Sequence, residues 1–186
     1  MTTAVPEPDL RPTLVPAISV RGTHGVVTSP HSLASQAGLA TLKSGGNAVD
    51  AAIATNAALA VVSSFMCGLG GDAFWLIWTE RDGLRALNGS GRSAAAATLD
   101  AARAVGLERM PIRGPWTVTV PGAIRSWGDA HRRYGRLPWP ALFGPAVELA
   151  GSFPASPAWT AAVERGATVF GADSDWARVF RPERRA

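Results

Sequence analysis

The sequence predicts an α+β fold in which helices pack on a sheet. Residues 48–62 form an alanine-rich run that is apolar on all sides, as expected of a helix buried in a layered fold. Residues 73–78 are rich in the aromatic and branched side chains that favour strands. Asp82-Gly83 is a hairpin turn signal, and residues 84–87 supply the returning strand. The length of 186 residues suits about one domain.

Composition narrows the possible classes of protein. Apolar residues make up 47% of the chain and charged residues 17%, which is typical of a globular protein. The single cysteine, Cys67, excludes an intrachain disulfide framework and a multi-cysteine metal site. The longest strongly apolar stretch, residues 51–62, is too short to span a bilayer. We therefore expect no membrane partner, no metal and no cofactor.

The charge distribution argues against nucleic acid as a partner. The net charge of +4 comes from residues 101–186, which carry twelve basic and seven acidic groups, whereas residues 1–100 carry six and seven. The excess arginines form no stripe along one helix and have no aromatic stacking motif beside them, so a solvated arginine-rich surface is favoured. Residues 1–20 are expected to form a disordered leader. The proline-rich residues 1–16 lack the basic and apolar regions of a secretory signal, which predicts a cytoplasmic location.

Helix and strand signals continue along the rest of the chain. Ser32 is the predicted N-cap of a helix that ends at Lys43, because Gly45-Gly46 accept the left-handed backbone that stops helices. Asn47 is the predicted cap of the buried helix that follows. The remaining predicted elements are a strand-like step over 25–28, a helix from Leu99 or Asp100, a short strand over 117–120, and helices over 123–134, 139–150 (broken at Gly144-Pro145) and 157–165; residues 168–185 show no clear period.

Two glycine-rich loops are the candidate functional segments. Residues 67–72 lie between a predicted helix and a strand, the reverse of the order that a phosphate-binding loop needs. They form either a tight structural turn or backbone close to a substrate pocket, with Gly70, Gly71 and Asp72 as candidate pocket-lining residues. Arg92 ends the second loop, residues 88–92. Its guanidinium suits bidentate binding of a carboxylate, and the alternative is an ordinary surface arginine.

A cysteine nucleophile is the less favoured alternative. Cys67 would need His24, His31 or His131 as its partner, and none of these lies in a recognised local signature. A buried structural thiol is therefore preferred.

Five segments together resemble the γ-glutamyltranspeptidase family. The resemblance runs from about Gly25 to Phe180, and its Gly-Gly-Asn-Ala-Val-Asp-Ala-Ala run, in order with the later motifs, is highly specific. The segments are GVVTSPHSLAS (25–35), GGNAVDAAI (45–53), GLGGDAF (68–74), LNGSGR (87–92) and TVPGA (119–123).

The resemblance implies an N-terminal-nucleophile hydrolase with a four-layer αββα sandwich. In such proteins the precursor cuts itself, and the new N-terminal Thr of the small subunit is both nucleophile and base. The large-subunit loop arginine, which matches Arg92 here, binds the α-carboxylate of the glutamyl group. The cleavage-site Thr of the family lies far beyond Ala186, so no catalytic residue is expected in this chain.

Two departures from the family pattern bear on the substrate. Asp72 stands where transpeptidases usually continue with glycine, and Ser93 stands where an acidic residue usually follows the arginine. Both resemble the branch that includes oxamate amidohydrolase. The resemblance therefore implies a γ-glutamyl or oxamate-like substrate, and leaves open transfer to an amino acid, as in glutathione metabolism, or hydrolysis.

Residues 21–186 are thus expected to be the N-terminal segment of a truncated large subunit, a partial αββα sandwich that lacks the small-subunit strands. We expect such a chain to be inactive alone and to need the missing region or small subunit as its partner. The alternative is a non-catalytic remnant or a partner-dependent interaction protein. Either way, the helix over 48–62 or the strand over 74–78 is expected to be exposed, because the layer that covers it is absent.

Overall fold

A computed structural model describes residues 19–171 and 174–181 of the chain. Helices dominate it, and two antiparallel strands pair in one sheet. The elements in chain order are α1 (Ser32–Lys43), α2 (Ala48–Val62), β1 (Phe74–Thr79), β2 (Gly83–Asn88), α3 (Leu99–Ala104), α4 (Ala123–Tyr134), α5 (Gly144–Gly151), α6 (Pro157–Val169) and α7 (Asp175–Phe180), with short 3₁₀ helices at Pro115–Thr117 and Trp139–Phe143.

The first two helices begin and end at capping residues. His31, rather than the predicted Ser32, caps α1, because its Nδ1 accepts the Leu33 N–H at 3.3 Å. The stop after α1 is confirmed, with Gly45 at a φ of +91°. Asn47 caps α2 as predicted, and Asp50 completes a capping box by accepting the Asn47 N–H.

Helix α2 is the centre of the structure. Ten of its residues are buried, between α1 on one side and α4 and α5 on the other. The contact with α1 is close: a Cβ on Gly38 would lie 2.1 Å from Thr55 Oγ1, so only glycine fits there. Trp127 of α4 and Leu142 are fully buried against the same core as Ile53.

The carboxylate of Asp50 joins α2 to the loop after α4, a contact that the sequence pattern did not predict. It is fully buried and accepts the Arg136 N–H at 3.1 Å and the Leu137 N–H at 3.1 Å, besides the Asn47 N–H at 3.0 Å. His131 lies beside it, with Nε2 donating to the Leu137 carbonyl at 2.8 Å. These bonds satisfy a charge that would otherwise be costly to bury.

Replacing Asp50 by Ala should lower the free energy of unfolding by about 3 kcal/mol or more, because buried N–H donors would lose their acceptor. Urea denaturation of the two proteins measures the difference. Asp100→Ala is the matched control, since Asp100 is exposed on α3 and its ion pair with Arg103 is exposed too. Equal losses of unfolding free energy in the two variants would show that the buried Asp50 carboxylate stabilises the fold no more than an exposed one.

The hairpin has one covered face and one open face. Trp75, Ile77 and Leu87 pack against the core, and Trp75 Nε1 donates to Ser126 Oγ at 3.1 Å. The opposite face is apolar and exposed: Phe74 is 72% exposed, Leu76 77%, Trp78 67% and Leu84 63%, with Trp78 and Leu84 directly paired. Of the two elements expected from the sequence to be exposed, the strand is exposed on one face, whereas α1, α4 and α5 cover α2.

The turn of the hairpin carries an ion pair. Arg81 Nη2 lies 3.0 Å from Asp82 Oδ2, and this hydrogen bond lowers the pKa of the Asp82 carboxyl below its usual value. The same contact raises the pKa of Arg81. Both effects favour the charged forms, so the pair keeps its attraction at neutral pH.

Besides the N-cap of α1, three local predictions were wrong. Residues 25–28 form no strand, and residues 117–120 form the end of a 3₁₀ helix and a single bridge from Thr119 to Ser93. A strand needs a partner that continues the ladder, and none lies beside either segment in the part of the chain described here. Helix α7 was missed because its six residues are too few to show a period, although Ser174 caps it.

The predicted leader, residues 1–20, lies outside the described residues except for Ser19 and Val20, so its disorder remains a prediction. In 19–171 and 174–181, each helix is too short or too polar to cross a membrane.

Candidate active site

Three segments converge at the open end of the hairpin. They are the glycine turn (residues 67–72), the arginine loop (residues 88–93) and the connection that precedes α4 (residues 119–122). The carbonyl of Gly71 accepts the Gly122 N–H at 3.1 Å and the Ala123 N–H at 2.9 Å. The glycine turn therefore satisfies backbone donors at the start of α4, which a helix cannot pair by itself.

The backbone of the arginine loop is held on both sides of Arg92. Gly89 N donates to the Ala73 carbonyl at 2.8 Å, which prolongs the hairpin by one step. Val120 N donates to the Arg92 carbonyl at 2.8 Å, and Ser93 bridges to Thr119 in antiparallel register. The loop is thus a part of the framework and lies across the connection to α4.

Glycines in this loop allow backbone to lie directly on backbone. A Cβ on Gly91 would lie 1.6 Å from the Val120 carbonyl oxygen, and one on Gly89 would lie 2.5 Å from that of Ala73. No side chain fits in either place. In the glycine turn, by contrast, Gly68 and Gly70 face open space, where a Cβ would meet nothing within 4 Å.

The side chain of Arg92 is exposed at this junction. Its guanidinium has no hydrogen bond or ion pair with another residue in 19–171 and 174–181, unlike Arg81, Arg125 and Arg132, each of which contacts a carboxylate. A fixed backbone and an unengaged guanidinium are what a carboxylate-binding arginine requires.

The structure brings together Asp72 and the arginine loop, both of which were candidates from the sequence. Asp72 Oδ1 accepts the Gly91 N–H at 2.9 Å. The pocket-lining role of Gly70, Gly71 and Asp72 remains a prediction. Sequence reasoning missed Thr119, whose hydroxyl donates to Asp72 Oδ1 at 3.2 Å. Residues 119–123 were recognised as a family segment, but nothing in their pattern indicated that they lie beside Arg92.

Two clefts in the described part of the chain lie away from this junction. One of about 680 Å³ separates residues 24–30 from α2, and another of about 620 Å³ lies between α6, α7 and residues 64–66. Neither is lined by Asp72 or Arg92.

The surroundings of Cys67 agree with a structural thiol. The residue is half-buried rather than buried as expected, and it packs against the apolar cluster that includes Ala34, Ala37 and Leu59. Two of the three candidate histidine partners have structural contacts of their own: His31 caps α1, and His131 bonds to the loop after α4.

Comparison with known proteins identifies the family. The model of the family described as gamma-glutamyltranspeptidase matches residues 34–186. A glutathione hydrolase-like YwrD proenzyme of Bacillus subtilis is 47% identical over 141 residues, which are 74% of this chain and 26% of that protein. An oxamate amidohydrolase proenzyme of Klebsiella pneumoniae is 45% identical over 111 residues, 59% of this chain and 21% of that protein.

Solved structures agree with the sequence matches. The crystal structure of a cephalosporin acylase from Bacillus halodurans superposes with a TM-score of 0.79 at 41% identity, covering 95% of this chain and 35% of that one. The expected fold is confirmed: the chain has part of the sandwich of the N-terminal-nucleophile hydrolases, and the described residues supply two of its strands. The chain spans about a quarter of the length of the curated relatives named above. It belongs to the gamma-glutamyltranspeptidase family.

Proposed function

We propose that this chain is the substrate-carboxylate part of an enzyme that cleaves an amide next to a carboxylate, by hydrolysis or by γ-glutamyl transfer. The observation that carries the proposal is Arg92, exposed and without a carboxylate partner among the described residues, on a loop whose backbone is fixed on both sides. The fork of the guanidinium matches the two oxygens of a carboxylate. Arg92 would hold the substrate so that the adjacent amide faces the nucleophile.

The nucleophile itself is assigned to the region that completes the family's length. An N-terminal Thr uses its own amine as the base and therefore must be created by cleavage. No Thr of this chain lies in the sequence context of the family's cleavage site. The chain alone is then inactive, and residues 21–186 act as the first segment of the large subunit. The cytoplasm remains the expected compartment.

Two relatives guide the choice of substrate. One is named an oxamate amidohydrolase and the other a glutathione hydrolase-like protein. In oxamate the amide is bonded directly to the carboxylate, and in a γ-glutamyl amide the carboxylate lies further along the chain. Asp72 and Ser93, the two departures from the transpeptidase pattern, favour the oxamate-like branch.

A chimera tests the proposal. This chain replaces the matching N-terminal part of the Klebsiella pneumoniae relative, and release of ammonia from oxamate is measured. We expect activity, because the arginine loop and glycine turn are then supplied by this chain. A chimera that folds and cuts itself but leaves oxamate intact contradicts the assignment.

A second candidate, a partner-dependent interaction protein, is favoured by the open face of the hairpin. Phe74, Leu76, Trp78 and Leu84 form one contiguous apolar surface. Surfaces of this kind mark sites that another layer or partner covers. In the enzymatic proposal the remaining strands of the sandwich cover this face, and in the alternative a separate protein does.

The open face predicts self-association of the isolated chain. Sedimentation velocity should show oligomers that grow with concentration, and Leu76→Glu should shift them towards the monomer by placing a charge on the face. Val147→Glu is the control, because Val147 is similarly exposed, at 70%, but lies on α5. A monomer at every concentration, with a sharp cooperative melt, would count against an uncovered surface.

A further inference from the structure

We propose that Asp72, one of the two departures from the family pattern, is the positioning residue of the arginine loop and acts as one unit with the Gly-Ser-Gly before Arg92. The inference rests on the proposed role of Arg92 and adds the residue through which that role is set. Asp72 stands nineteen positions before Gly91 in sequence, yet its carboxylate accepts the Gly91 N–H at 2.9 Å.

The carboxylate of Asp72 joins the three segments of the site. Asp72 belongs to the glycine turn. Its carboxylate accepts the N–H of Gly91, the residue immediately before Arg92, and a hydrogen bond from the Thr119 hydroxyl at 3.2 Å. Thr119 in turn bridges to Ser93, the residue that immediately follows Arg92. Both chain neighbours of Arg92 are therefore linked to one carboxylate, directly on one side and through Thr119 on the other.

The glycines of the loop are what make this contact possible. Gly91 lies so close to Val120 that any Cβ would collide with its backbone. With glycine there, the Gly91 N–H reaches the Asp72 carboxylate while the Arg92 carbonyl accepts the Val120 N–H. If residue 72 were glycine, as is usual in transpeptidases, the Gly91 N–H would lose its side-chain acceptor in this arrangement and could bond only to water. Glycine at position 91 thus allows the bond to Asp72 and the bond between Arg92 and Val120 to form together.

Hydrogen bonds to a charged acceptor are the stronger kind, and they restrict direction as well as distance. A loop built of Asn-Gly-Ser-Gly has little intrinsic stiffness, since glycine has the widest choice of backbone conformations. Asp72 therefore supplies the order that the loop composition lacks. We infer that it fixes the backbone from which the Arg92 guanidinium reaches the substrate carboxylate, without touching the substrate itself.

Residue-resolved hydrogen exchange on the 186-residue chain tests the contact. Asp72→Gly should speed exchange of the Gly91 amide by about tenfold to a hundredfold, the range expected for losing a bond to a charged group. Asp72→Asn keeps an acceptor oxygen and should give a smaller increase, and Thr119→Val should loosen Val120 more than Gly91. Asp100→Asn, a change at an exposed aspartate on α3, should leave both amides unchanged.

The pattern of exchange separates positioning from general stability. Faster exchange confined to residues 89–93 and 119–120 supports the inference. Unchanged exchange at Gly91 in Asp72→Gly overturns the inference. Exchange that is equally accelerated throughout α2 in Asp72→Asn and Thr119→Val also overturns it, because Asp72 would then only stabilise the fold.

Kinetics in the chimera separate this inference from the proposed function. Asp72→Gly should raise KM for oxamate by about tenfold with a much smaller change in kcat, since a misplaced arginine weakens binding first. An unchanged KM overturns the inference even if exchange is faster. If Arg92→Ala leaves oxamate kinetics unchanged, the proposed function fails, whatever Gly91 shows. If Arg92→Ala abolishes binding while Asp72→Gly changes neither exchange nor KM, only the role of Asp72 fails.

Discussion

Replacing Arg92 by Ala in the chimera should lower kcat/KM for oxamate by about 10²- to 10⁴-fold. Removing one partner of a desolvated ion pair costs roughly 3–5 kcal/mol, and each 1.36 kcal/mol is a factor of ten. In the completed enzyme the substrate carboxylate would lose the only guanidinium that we assign to it. Initial rates of ammonia release over a range of oxamate concentrations measure the loss.

Two further variants make that result specific. Arg92→Lys should recover only a part of the rate, because an ammonium cannot reproduce the planar fork. Arg103→Ala removes an exposed arginine of α3 that is paired with Asp100, and should leave kcat/KM unchanged. Similar losses for Arg92→Ala and Arg103→Ala would mean that Arg92 is an ordinary surface arginine.

The purified 186-residue chain should not release 4-nitroaniline from γ-glutamyl-p-nitroanilide above the rate of the uncatalysed reaction. Without an N-terminal Thr created by cleavage, the chain has no group that is both nucleophile and base. Continuous absorbance of released 4-nitroaniline is the measurement. This is the largest effect that we expect, since it is a complete loss.

The isolated chain is also assayed for ammonia release from oxamate, and the chimera is the positive control for that second assay. The chimera contains the same 186 residues together with the region in which the relative's nucleophile is expected. The contradicting result is turnover by the isolated chain that is proportional to its concentration and survives a further purification step. Such turnover would require a nucleophile among these 186 residues. Cys67 would then be the first residue to replace.

Much of the helical framework could be predicted because its signals are local. Asn47 and Asp50 form a capping box three residues apart, and Gly45 stops the preceding helix. The all-apolar character of α2 predicted its burial. Asp50 shows the limit of such local signals, because its capping role is local whereas its bonds to Arg136 and Leu137 cross 86 and 87 positions.

Strands were harder to predict than helices because a strand is defined by its partner. The pattern at Phe74–Thr79 succeeded, since its partner follows directly after the turn at Asp82-Gly83. Residues 25–28 are also rich in β-branched side chains, but they have no ladder partner in the described chain and form no strand. The composition of a segment can favour a strand, but it does not determine whether another segment lies beside it to form the hydrogen bonds.

The sequence predicted the individual residues Arg92 and Asp72 of the candidate site, but not the contacts between its segments. Arg92 was recognised from its place after a glycine-rich loop and from the family resemblance, and Asp72 from its departure from the family pattern. That Asp72 accepts the Gly91 N–H beside Arg92 could not be inferred from the sequence, because Asp72 and Gly91 are nineteen positions apart with a whole hairpin between them. The role of Thr119 depends on the same tertiary contact.

The preference of the chimera for oxamate over oxamide tests the central claim most directly. The two molecules share the amide and differ in that one has a carboxylate where the other has a second amide. We expect kcat/KM to favour oxamate by about 10²-fold or more, as for a charge-assisted pair in a desolvated site. Arg92→Ala should bring the ratio close to one. An unchanged ratio in Arg92→Ala would contradict the claim that Arg92 binds the carboxylate.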